Sequence, residues 1–174
     1  MKTLDDYIRA IPDFPKEGII FRDITTVLQD PDGFKLCIDS MNGLIEDIDY
    51  DVIVGAEARG FALGGPLAYL NNKSFVLVRK KGKLPAETIS QEYDLEYGTA
   101  TIEIHKDAIK PGQKVVIVDD LLATGGTVEA IIKLVEKLGG VVAGIVVMVE
   151  LKGLNGRDRL KGYRVDTAIS YDGK

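Results

Sequence analysis

Apolar residues recur along this chain in two different rhythms. Three short, mostly apolar runs, Val52 to Val54, Val115 to Val118 and Val141 to Val149, predict strands buried on both faces. Between them the spacing is helical. After Asp30-Pro31, a cap followed by proline at the first helical position, Phe34, Cys37, Ile38, Met41, Leu44 and Ile45 share one face. A second stripe of Val128, Ile131, Ile132, Val135 and Leu138 stops at Gly139-Gly140, a usual C-terminal signal. Val115 to Val149 therefore reads as strand, turn, helix, strand. Alternation of such units predicts an α/β fold, a mostly parallel twisted sheet flanked by helices, with ligands expected at the carboxyl ends of the strands.

Two segments fit neither rhythm. The stretch before Asp30, with Pro12, Pro15 and Gly18, is irregular and reads as a hood added to the sheet. Lys80 to Gly98 begins basic, turns acidic and keeps no period, so it reads either as a mobile functional loop or as short edge strands. There is no internal repeat, low-complexity tract or interdomain linker. Residues 1–174 are expected to form a single domain, with 1–30 contributing the hood.

Charge and composition narrow the function. An excess of 27 Asp+Glu over 22 Lys+Arg, a formal net charge of -5, argues against a general nucleic-acid binder, whose affinity rests on a basic face. Cys37 is the only cysteine and falls on a predicted core face, so no intramolecular disulfide is expected. Without an amino-terminal basic-then-apolar segment or a long apolar run, a cytoplasmic protein with no membrane partner is expected. The G-x-G-x-x-G and G-x-x-x-x-G-K-[ST] fingerprints and the G-x-S-x-G elbow are missing. A single histidine, His105, excludes the ordinary zinc constellations and reads as a plain surface or strand residue.

What remains is VVIVDDLLATGGT, Val115 to Thr127, where a buried strand runs into Asp119 and Asp120 and then into a Thr-Gly-Gly-Thr helix start. Such a start presents unpaired N–H groups and the positive end of a helix dipole, and glycines let a ligand approach the backbone. That suits a phosphate, with Thr124 and Thr127 adding hydroxyl donors. Two carboxylates beside it would repel that phosphate, so they suit neutral hydroxyls, a hydrated metal ion, or both.

This stretch resembles the phosphoribosyl pyrophosphate (PRPP) signature of the type I phosphoribosyltransferases. The resemblance extends to the adenine phosphoribosyltransferase family through FPKEGIIFRDITTVLQDP, VIVGAEARGFALGGPLA, KLPAETISQEYDLEYGT and VMVELKGLNGRDRL. It implies that Asp119 and Asp120 bind the ribose hydroxyls and that Ala123, Thr124, Gly125, Gly126 and Thr127 enclose the 5′-phosphate. It implies that the loop around Ala58, Arg59 and Gly60, with a non-proline cis peptide, binds pyrophosphate. Phe21 would stack on the purine while the backbone of Ile20 and Arg22 reads its edge. Arg79, Lys80 and Lys83 would supply positive charge near the pyrophosphate, in their own site or a dimer partner's. A mobile loop would carry Glu96 and Tyr97, with Glu96 as the acid-base group and Glu92 and Asp94 as alternatives on the same loop.

The implied reaction is transfer of the 5-phosphoribosyl group from PRPP to N9 of adenine, giving AMP and pyrophosphate, with Mg²⁺ bridging PRPP oxygens and a homodimer as the assembly. The competing readings are a transferase for xanthine, hypoxanthine or guanine, and a PRPP-sensing regulator without turnover.

Overall fold

The computed structural model describes residues 1–95 and 97–173. Its centre is a seven-stranded sheet in the order β5-β6-β4-β3-β7-β8-β9. The strands are β3 (Val52–Ala56), β4 (Ser74–Lys80), β5 (Thr88–Asp94), β6 (Thr99–His105), β7 (Lys114–Leu122), β8 (Val141–Leu151) and β9 (Val165–Tyr171). From β4 to β9 the neighbours run parallel, and β6 and β5 add an antiparallel edge. This is the mostly parallel, helix-flanked sheet the apolar runs predict.

The pleat divides each central strand between two cores, because alternate side chains point to opposite faces. Val54, Val115, Ile117, Ile145 and Val147 pack with Val128, Ile131, Leu134 and Val135 of α4 (Gly126–Lys137). Ile53, Val116, Val118, Val146 and Met148 face the other way. They meet Cys37, Met41 and Ile45 of α2 (Pro31–Ile45) and Leu63 and Leu67 of α3 (Arg59–Leu70). With water excluded from both faces, each large aliphatic here contributes about 1.5–3 kcal/mol. Helix α2 starts as its sequence dictates, since the Asp30 carboxylate accepts the N–H groups of Asp32 and Gly33 at 2.9 and 3.0 Å ahead of Pro31.

Helix α3 shows no such pattern. It holds three glycines and an internal Pro66, residues that weaken an isolated helix. Two of these glycines, Gly60 and Gly64, serve packing. A Cβ on Gly64 would lie 2.5 Å from the Phe75 ring, and one on Gly55 of β3 would lie 2.7 Å from it, so both residues make room for Phe75 of β4. Helix α3 forms because that docking outweighs its poor intrinsic propensity.

The segment Lys80 to Gly98 turns out to be mainly edge structure. Residues Thr88–Asp94 pair along their whole length with β6, from Thr88↔His105 to Asp94↔Thr99. His105 is a strand residue whose Nε2 accepts the Ala86 N–H at 3.3 Å, tying down the connection that leads into β5. The amino-terminal region stands outside the large sheet. There β1 (Arg9–Pro12) and β2 (Ile20–Asp23) form a separate antiparallel pair, followed by the short helix α1 (Thr25–Leu28). Asp23 fixes its exit, accepting the Thr25 hydroxyl at 2.6 Å and the Thr25 N–H at 2.9 Å, with Arg9 Nε on its other oxygen at 3.0 Å. These bonds, the Thr25 hydroxyl first, hold its carboxyl down at about 2.

Candidate functional site

The sheet opens into a cleft where β3 and β7 part. On the β3 side, β7 is paired only from Val115 to Val118, whereas on the β8 side its pairing continues to Leu122. Asp119 and Asp120 therefore do not follow the strand, as the sequence suggests, but stand within it. They sit where one neighbour has turned away into α3 and the other still supports the backbone. Asp119 Oδ1 accepts the Asp120 N–H at 2.8 Å, and both residues are buried. Burial first, and then the Asp120 charge, push the Asp119 carboxyl well above the usual carboxylate range. Asp120 faces Arg59, whose Nε donates to Asp120 Oδ2 at 2.5 Å.

After β7 the chain crosses Ala123 and Thr124 to Gly125, which has φ of 87° and precedes the first turn of α4. No side chain caps this helix start among the described residues. Its N–H groups and dipole thus face the cleft, a suitable seat for an anion. Gly125 is glycine for two reasons. L side chains rarely adopt that φ, and a Cβ would lie 2.6 Å from the Gly156 carbonyl oxygen.

Opposite this turn the Glu57–Ala58 peptide is cis, as the resemblance implies for this loop. Arg59 and Gly60 then open α3 instead of lying in the loop proper. A Cβ on Gly60 would meet Val118 O at 3.2 Å and Asp119 Oδ1 at 3.4 Å, so this turn lies directly on the Asp119 strand.

Glu57 has no place among the residues expected from sequence, yet it organises the basic side of the cleft. Its carboxylate accepts Lys83 Nζ at 2.7 Å, the Lys80 N–H at 2.9 Å and Arg79 Nε at 3.3 Å. Burial opposes its ionisation, but these three partners overcome burial and bring the carboxyl down to about 2.

The cleft, about 260 Å³, is lined by Arg59, Arg79, Lys80, Asp119, Asp120 and the whole Ala123–Thr127 turn, together with Glu57 and Tyr93. Tyr93 comes from the edge strand β5, a wall that sequence gave no reason to expect. Lys83 reaches the cleft through Glu57 and does not line it. Ile20, Phe21 and Arg22 lie apart on β2 and are not among the lining residues. Ile20 and Phe21 are exposed, with the Phe21 ring edge-on to Phe14 at 5.3 Å. The Arg22 guanidinium lies 3.9 Å over the Tyr171 ring. Tyr97 is 84% exposed in the connection between β5 and β6, away from the lining set, and Glu96 lies outside the described residues.

Comparison with known proteins places this arrangement. A family model described as a phosphoribosyl transferase domain matches residues 23–173. An adenine phosphoribosyltransferase from Lachnoclostridium phytofermentans is 64% identical over 174 residues, covering 100% of both chains. Among solved structures, the adenine phosphoribosyltransferase of Thermoanaerobacter pseudethanolicus superposes with a TM-score of 0.93 at 55% identity, covering 97% of this chain and 100% of its own. That of Saccharomyces cerevisiae, complexed with an imino-altritol bisphosphate and adenine, gives 0.88 at 39% identity, with 95% and 96% covered. The family model over residues 23–173, and a relative 64% identical along the whole chain, place this chain in the phosphoribosyl transferase family, among the adenine phosphoribosyltransferases.

Proposed function

We propose that the cleft transfers the 5-phosphoribosyl group of PRPP to N9 of adenine, releasing pyrophosphate and leaving AMP. The observation that carries this is the meeting, in one cleft, of three distinct recognition chemistries. A helix start with Gly125 in a left-handed turn suits a 5′-phosphate; the adjoining Asp119 and Asp120 suit a ribose diol; Arg59, Arg79 and Lys80 suit a pyrophosphate. PRPP carries all three groups in that order. The yeast relative's complex with adenine and a bisphosphate supports the same reading of the base and the phosphates.

Breaking the anomeric C–O bond places negative charge on the departing pyrophosphate and oxocarbenium character on the ribose. Arg59, Arg79 and Lys80 stabilise the first, and Asp119 and Asp120, beneath the sugar, the second. Ala123 to Thr127 hold the 5′-phosphate so that the anomeric carbon faces the base. Phe21 stacks on adenine while the Ile20 and Arg22 backbone reads its edge, which makes residues 1–30 the hood of a single-domain enzyme. Glu96 takes the N9 proton, with Tyr97 its neighbour in sequence.

The donor set fits Mg²⁺. Among the described residues no cluster of three or more His, Cys, Asp or Glu forms a protein cage. The Asp119–Asp120 pair suits an ion held mainly by substrate oxygens and water. When bound, Mg²⁺ offsets charge on the pyrophosphate. A homodimer in the cytoplasm completes the proposal, in keeping with a chain in which no described helix is long and apolar enough to cross a membrane.

The test is competition among adenine, hypoxanthine and guanine for PRPP with Mg²⁺, followed by separation of the products. A backbone that pairs with adenine's N1 acceptor and 6-amino donor meets an inverted pattern in hypoxanthine, which can be worth roughly 10⁴-fold in discrimination. AMP should dominate. IMP or GMP formed as readily would overturn the adenine assignment, and no nucleotide at all would favour a sensor.

A further inference from the structure

The phosphate turn has a back wall. Behind Ala123–Gly125 lies a turn of 3-10 helix, Gly156–Leu160, in contact so close that neither Gly125 nor Gly156 has room for a side chain. A Cβ on Gly156 would lie 2.5 Å from Ala123 O and 2.9 Å from Leu122 Cδ1, and one on Gly125 would lie 2.6 Å from Gly156 O. The two backbones are stacked, so where one sits decides where the other sits.

The next residue, Arg157, pins this wall to the sheet. Its Nε and Nη2 donate to the two oxygens of Glu150 at 2.8 and 3.1 Å, and its Nη1 donates to Val165 O on β9 at 3.0 Å. Glu150 is 4% exposed on β8, in register with Leu122 at the end of β7 and Ser170 on β9. A carboxylate so deep in the sheet is costly unless paired, and the guanidinium fork satisfies both of its oxygens. Arg159, by contrast, makes only an exposed contact, its Nη1 3.5 Å from Glu129 Oε1.

We propose that Glu150 and Arg157 are positioning residues for phosphoribosyl transfer. Their fork holds the Gly156 turn against Ala123–Gly125 and thereby fixes the depth and the N–H alignment of the 5′-phosphate seat. Neither side chain touches substrate. The proposal rests on the reading of Ala123–Thr127 as that seat. Removal of the fork lets the wall retreat, so the phosphate loses aligned donors, while the purine-binding residues Ile20, Phe21 and Arg22, carried on the separate β1–β2 pair, are unaffected.

The experiment compares Arg157→Met, Arg157→Lys and Arg159→Met with the unaltered protein, by AMP calorimetry, KM for PRPP and for adenine, and thermal melting. Arg157→Met should weaken AMP and raise KM for PRPP by roughly tenfold or more, as small misplacements of a binding group do. KM for adenine should stay within about twofold, a split that a loss of stability alone would not produce. Arg157→Lys, which keeps the charge without the fork, should fall between, and Arg159→Met should bind AMP normally. Unchanged AMP affinity in folded Arg157→Met, or an equal loss for both substrates, would overturn the proposal. If that variant does not fold, Arg157→Lys decides by the same criterion of AMP affinity. Failure of the unaltered protein to bind AMP would instead overturn the phosphate-seat reading beneath it.

Discussion

Replacing Gly125 by alanine places one methyl group at the tightest point of the Ala123–Gly126 turn, and the structure gives its cost. A residue at φ of 87° that acquires a Cβ enters the left-handed region, at about 1–2 kcal/mol. The new Cβ would also lie 2.6 Å from the Gly156 carbonyl oxygen, a backbone atom that cannot swing aside. Overpacking of that kind costs about 1–3 kcal/mol. Together they predict a loss of about 2–5 kcal/mol, or a fall in Tm of roughly 5–20 °C for a chain of this size. Gly126→Ala provides the contrast, since its Cβ would meet Tyr93 Cδ2 at 3.6 Å and Asp94 O at 3.7 Å, ordinary contact distances. It should leave Tm nearly unchanged. The assay is thermal melting of both variants with AMP calorimetry on each, and Gly125→Ala should bind AMP weakly even where it is fully folded. If Gly125→Ala melts and binds like the unaltered protein, the Gly125–Gly156 stacking does not constrain the turn, and the argument from it fails.

Glu57 gives a pH-dependent prediction. Its carboxyl is held at about 2 against an ordinary 4.5, so its contribution to stability is fully present above pH 4.5 and lost as pH falls toward 2. Glu57→Gln should remove that part of the acid dependence in melts run across this window and raise KM for PRPP, because Lys83 and Arg79 lose their anchor; an unchanged acid profile would refute it. Asp119 gives the opposite sign. With its folded pKa raised above 3.8, its ionised form is a cost that grows as pH rises, so Asp119→Asn should raise Tm at pH 7, less so in acid, while sharply reducing kcat/KM for PRPP. A lower Tm at pH 7, or undiminished use of PRPP, would count against it.

The elements legible from sequence are those whose own residues carry the signal. Strands β3, β7 and β8 are buried on both faces and so read as apolar runs, while α2 and α4 each bury one stripe. Helix α3 is illegible because its glycines Gly64 and Gly60 answer to Phe75 and to Val118, residues on other strands, and not to helical propensity. Strand β4 ends in Arg79 and Lys80 and is partly exposed along most of its length, which makes it look like the start of a loop. β5 alternates partly buried and exposed positions at the sheet edge, with few apolar residues to mark it. The same division runs through the site. Asp119, Asp120 and the glycine turn are contiguous and form a motif, whereas Glu57 and Tyr93 belong to the cleft only through tertiary contact. For Glu57 no local signal exists, because its basic partners Arg79, Lys80 and Lys83 lie 22, 23 and 26 residues further along the chain.

The ion pairs that line the cleft bear on selectivity against bystander anions. Arg59 is already matched by Asp120, and Lys83 and Arg79 by Glu57, so the cleft behaves as a loaded ion exchanger and not as an open positive basin. An incoming anion must displace a carboxylate from its partner. Inorganic phosphate or chloride has little with which to offset that loss. A ligand that also engages the glycine turn and the Asp119–Asp120 pair brings binding energy from elsewhere, so it can complete the exchange where a free anion would stall.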